Sequence, residues 1–96
     1  MWHKMREMLV DCREVAGEEN RLRCRYSILV DTIPVGRFFY ESYGVKVEEE
    51  VGGEKVCFPN LTCSAAEIDE LMEKLVCHRV TPTGLADVLC DWKKRK

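Results

Sequence analysis

The chain has 96 residues, a net charge of −2, and 46% hydrophobic and 33% charged residues. That is the balance of one small folded domain, not of a disordered segment. Its pI of about 5.7 gives no global positive field toward nucleic acid or anionic lipid, and no run reaches the ~18 apolar residues of a membrane span.

Met8 to Val15 alternates, with Met8, Val10 and Cys12 on one side and Leu9, Asp11 and Arg13 on the other. After the polar stretch 16–20, Leu22, Cys24, Tyr26, Ile28 and Val30 repeat at period two, the mark of a half-buried strand. A hairpin centred on Glu18 places Met8 opposite Ile28, Val10 opposite Tyr26 and Cys12 opposite Cys24, with Asp11 meeting Arg25. Cys12 and Cys24 are then the pair placed to oxidise first. Trp2, Met5, Met8 or Leu9, and Cys12 also fit helical spacing, so residues 2–15 have two readings; the five-residue loop and matching alternation favour the hairpin.

Pro34 and Gly36 predict a turn over 31–36. The aromatic and β-branched run that follows predicts a strand with inconsistent parity: Phe39, Tyr43, Val45 and Val47 share one face, Phe38 and Tyr40 the other. Either a bulge near Gly44 switches the faces or both faces carry aromatics. A short last strand begins near Lys55 and is expected to stop at Pro59.

Helices follow. Ser64 and Glu67 have capping-box spacing ahead of the stripe Ile68, Leu71, Met72, Leu75. Thr81-Pro82 starts a second helix with the stripe Leu85, Val88, Leu89, Trp92. The expected fold is α+β: an antiparallel meander of about four strands (about 5–58), then two helices packed on one face (about 64–92) and a basic tail, 93–96, in a single domain spanning 1–96.

The six cysteines show no C-x-x-C spacing, which removes redox-motif and zinc-knuckle readings. Charges run through the first fifteen residues, where an export signal would carry its apolar core. The expectation is a cytoplasmic protein with reduced thiols. Cys77-His78 with Cys90 invites a metal or nucleophile reading. On adjacent helices, however, Cys90 lies ~12 Å along the second helix, and neighbours such as Cys77 and His78 diverge by ~100°. No catalytic residue, metal ligand or cofactor is assigned, and no enzyme is expected. Residues 82–92 offer Asp87 and Asp91 where a DNA-reading helix needs donors and cations.

The segments "YSILVD", "ESYGVKV", "LTCSAAEIDELMEKL" and "VTPTGLADVLCDW" together resemble a family of small uncharacterised proteins from clostridia and related Firmicutes, over about residues 24–92. The resemblance implies a bacterial cytosolic protein with no assigned activity, and it transfers no site residues.

The reading that follows is a non-enzymatic protein-interaction or regulatory module, forming a homodimer or binding an unknown protein partner, with no membrane role. Its candidate surface is Leu29, Phe38, Phe39 and Tyr40, apolar side chains that cannot all lie beneath two helices. The alternative is a small nucleic-acid-associated protein using Arg21, Arg23 and Arg25, joined by Arg13 across the hairpin, together with the basic tail. Neighbouring acids make that stripe a solvated face first, so nucleic acid is not the expected partner.

Overall fold

The computed structural model describes residues 4–16, 21–50 and 53–94. Its elements are β1 (Lys4–Ala16), β2 (Arg21–Val35), β3 (Phe38–Glu49), β4 (Lys55–Thr62), α1 (Ala65–Cys77) and α2 (Pro82–Lys94). The strands form one antiparallel sheet in chain order, a meander, followed by the two helices. The α+β architecture is the predicted one. Residues 4–16 are strand, which removes the helical alternative there; Trp2 and residues 17–20 of the expected turn lie outside the described residues.

Cys24, Tyr26, Ile28 and Val30 alternate along β2 and are buried with Val45 and Val47 of β3 against Ile68, Leu71, Met72 and Leu75 of α1. Each Val, Ile, Leu and Met side chain among them contributes roughly 1.5–3 kcal/mol on leaving water. The β2–β3 register is unbroken from Cys24–Glu49 to Val35–Phe38. No bulge switches the faces of β3, so both faces carry aromatics. The hairpin closes at Gly36-Arg37, with Gly36 at φ 60°, the first-position geometry of a type II′ turn. The predicted turn at 31–36 is therefore much tighter: β2 runs on through Pro34, which pairs with Phe39.

The β1–β2 register agrees with the expected one from Lys4–Thr32 to Leu9–Ser27 and then shifts by one between Leu9 and Asp11. Val10 is the extra residue. Beyond it Asp11 faces Tyr26, Cys12 faces Arg25 and Arg13 faces Cys24, so the expected Val10–Tyr26, Cys12–Cys24 and Asp11–Arg25 pairs do not form. Asp11 instead bonds Arg13 Nε at 3.0 Å and accepts from the Cys12 amide at 2.7 Å. These bonds, the amide first, hold its carboxyl below the usual carboxylate range. A bulge is a side-chain and twist decision that alternation alone does not announce.

β4 does not stop at Pro59. Between Val45–Phe58 and Tyr43–Thr62, residues Pro59, Asn60 and Leu61 stand opposite the single Gly44, and Asn60 takes φ 58°. Proline is tolerated at such a bulge on an edge strand.

Ser64 caps α1, its hydroxyl accepting from the Glu67 amide at 3.2 Å. The return half of the box is relayed: the Ser64 amide donates to Thr62 Oγ1 at 3.1 Å, and that hydroxyl donates to Glu67 at 2.6 Å. At the far end the Val80 amide reaches the Leu75 carbonyl at 3.0 Å and the Arg79 amide the Val76 carbonyl at 3.1 Å. This is a Schellman close with Arg79, at φ 49°, in the place glycine prefers. Arg79→Gly should therefore stabilise the fold by about 0.5–1 kcal/mol, raising Tm by about 2–8 °C. A thermal melt with no upward shift would count against this account. Thr81 caps α2 loosely, accepting from the Gly84 amide at 3.4 Å. Tyr26 Oη donates to the Val80 carbonyl at 2.9 Å, tying β2 to the turn between the helices.

Candidate interaction surface

The helices sit on β2, β3 and β4 and leave β1 nearly bare. Met8 and Val10 are half exposed at 52% and 48%, as are Met5 and Leu9. A groove of about 330 Å³ therefore opens between β1 and α1. Its floor is Val10 and Ile28, its wall Met72 and Val76, and its rim Asp69 and Glu73. A second hollow of about 260 Å³ shares Ile28 and Asp69 and continues it past Met8 and Tyr43.

The predicted apolar residues do not form one patch. Leu29 is only 5% exposed although no helix covers its face, which removes it from the candidate surface. Leu29 lies between Glu7 and Gly44, and its neighbour Ser27 between Leu9 and Lys46. Lys46 Nζ meets Glu7 at 2.6 Å, so this ion pair crosses β2 over both residues. The hydrogen bond to Glu7 raises the Lys46 pKa. The opposite face has a counterpart, Arg6 to Glu41 at 2.6 Å, with Tyr43 Oη donating to the other Glu41 oxygen at 3.1 Å.

Phe38 and Phe39 are instead 79% and 72% exposed, with Val35 and Tyr40 also exposed. All four belong to the β2–β3 hairpin tip. Phe38 and Tyr40 face away from the helices, Phe39 faces their side but lies out in solvent, and Arg37 stands in the turn. The tip is an apolar knob on both faces. Sequence reasoning found its aromatics by parity. It missed Met5, Met8, Leu9 and Val10, whose signal was an apolar run in a strand destined for the sheet edge.

Within the arginine stripe, Arg23 Nε meets Glu50 at 3.1 Å, and Arg25 stands opposite Glu48 and Cys12. Arg13 lies on the other face because of the bulge. The side chain of Arg21, and Arg95 and Lys96 of the tail, lie outside what is described. Cys77 lines the β1–α1 groove, while His78 lines a different hollow with Leu71, Val88 and Trp92. The two do not converge. Among the described residues no group of three or more His, Cys, Asp or Glu side chains is gathered for a metal, and no helix is long and apolar enough to cross a membrane.

Cys57, Cys63, Cys77 and Cys90 are exposed, Cys12 is half-buried and Cys24 is buried. Burial, then the nearby Glu49 charge, push the Cys24 thiol pKa up. Alkylation of the native chain should label the exposed Cys57, Cys63 and Cys90 first and Cys24 only after denaturation, read by peptide mass spectrometry. Early labelling of Cys24 would contradict the packing of β2.

The family match runs over residues 5–95 and so takes in the bare first strand as well as the helices. The chain belongs to a family of unknown function, DUF6514. No curated protein and no solved structure matches it.

Proposed function

We propose that this DUF6514 member is a non-enzymatic protein-interaction or regulatory module of the cytoplasm. The observation that carries this reading is the distribution of exposed apolar side chains. They gather at the hairpin tip and along β1, while the middle of the open sheet face is closed by the Glu7–Lys46 pair. Concentrated apolar exposure on a small domain marks a surface that meets another protein. Six cysteines, four of them exposed, suit a reducing compartment.

The test is photo-crosslinking in cells, with a photoreactive phenylalanine analogue placed at Phe38 and, as control, at Asp87, an exposed position of α2. Protein crosslinks from position 38 and none from position 87 support the reading. No crosslink from 38 removes it.

A further inference from the structure

The hairpin tip and the β1–α1 groove have complementary chemistry. The tip offers apolar side chains on both faces, with one cation, Arg37, at its apex. The groove offers an apolar floor and wall under an acidic rim. Asp11 and Arg13 neutralise one another at 3.0 Å, which leaves Asp69 and Glu73 as its net charge. Neither of those carboxylates has an ion pair among the described residues, nor does Arg37.

We propose that the protein is a twofold homodimer in which the hairpin tip of each copy seats in the β1–α1 groove of the other, Arg37 meeting Asp69 and Glu73. This rests on the interaction reading above and names its partner as a second copy of the chain.

Three observations select that occupant. A tip that is apolar on both faces touches floor and wall at once, whereas a flat partner would meet one face only. Tip-to-tip contact would oppose Arg37 to itself, and like charges repel. An anionic membrane does not suit a body of net charge −2 with acidic side chains along α1. The distances also close. From Ile28 in the groove to Val35 at the tip is seven residues of β2, roughly 23 Å at ~3.3 Å per residue. A twofold midway between them carries each tip to the other groove, an isologous contact that ends at two copies. Three aromatic rings per tip at ~150–250 Å² each, contributed twice and met by the groove walls, reach the order of the ~1,200–2,000 Å² buried in specific interfaces.

The experiment is sedimentation equilibrium of the intact chain at micromolar concentration, with circular dichroism to confirm folding of each variant. The parent should have a mass near twice 11.2 kDa. Arg37→Glu alone, and Asp69→Arg with Glu73→Arg, should each weaken the dimer about tenfold or more, and the three changes in one chain should restore it to within about threefold of the parent. All three positions are exposed, so the fold tolerates the changes. Phe39→Glu and Val10→Glu should each be monomeric alone, and their equimolar mixture should recover mixed dimers, because one tip and one groove remain intact. A monomeric parent overturns the proposal, as does a dimer indifferent to the charge reversals or a mass that grows without limit. Crosslinks from position 38 to a different protein, with a monomeric parent, would overturn the homodimer and leave the interaction reading standing.

Discussion

Gly44→Ala is expected to destabilise the protein by about 3 kcal/mol or more, enough to lower Tm by roughly 12–24 °C. Glycine here is a matter of space, since its φ is not positive. A β-carbon would lie 2.2 Å from the Phe58 carbonyl oxygen and 2.5 Å from Pro59 Cα. Both are backbone atoms, so no rotamer relieves the clash, and the β4 bulge must move off β3. The ladder from Tyr43 to Glu48 then loses its partner strand, and Phe58, packed against the core, moves with it. A domain with only ~5–15 kcal/mol in total has little to spare. Gly36→Ala is the control. Gly36 has φ 60° but nothing within 4 Å of the added carbon, so its cost is backbone strain alone, ~1–3 kcal/mol. Urea and thermal denaturation of the pair decide the matter. A Gly44 variant no less stable than the Gly36 variant would refute the close approach of β4.

Tyr26→Phe is expected to cost about 1–3 kcal/mol. The Tyr26 ring is fully buried, and its hydroxyl donates to the Val80 carbonyl at 2.9 Å. Phenylalanine keeps the ring and leaves that buried carbonyl without this donor. The effect should concentrate at the turn between α1 and α2, where amide exchange of Val80 and its neighbours should quicken more than exchange in β2–β3.

Tyr26 also predicts a pH dependence. Burial, with a smaller contribution from Cys24, pushes its phenol from about 10 up to about 12. The folded pKa lies above the unfolded one, so the stabilisation is complete below pH 10 and declines as pH rises toward 12. Tyr26→Phe should flatten that alkaline decline. A variant with the parent's stability and the parent's alkaline profile would show that the hydroxyl contributes nothing.

The amino-acid order by itself determined the elements and their succession, because the signals are local. Alternation along Cys24 to Val30 specified a strand buried on one face. The stripe Ile68, Leu71, Met72, Leu75 and the caps at Ser64 and Thr81 specified the helices. Parity along Phe38 to Tyr40 was enough to place large rings on both faces of β3, and Phe38 and Phe39 are indeed exposed. The tertiary structure decided what depends on contacts between strands. The Val10 bulge turned every later residue of β1 to the other face, separating Cys12 from Cys24 and Arg13 from the arginine stripe. Lys46 reached Glu7 across β2 and closed the face over Leu29, a bond between residues 39 apart in sequence. The helices settled over β2, β3 and β4 and left β1 open, although the pattern of Met8 and Val10 is that of a buried strand. A period of two says which residues share a side, while what covers that side depends on where the helices come to lie.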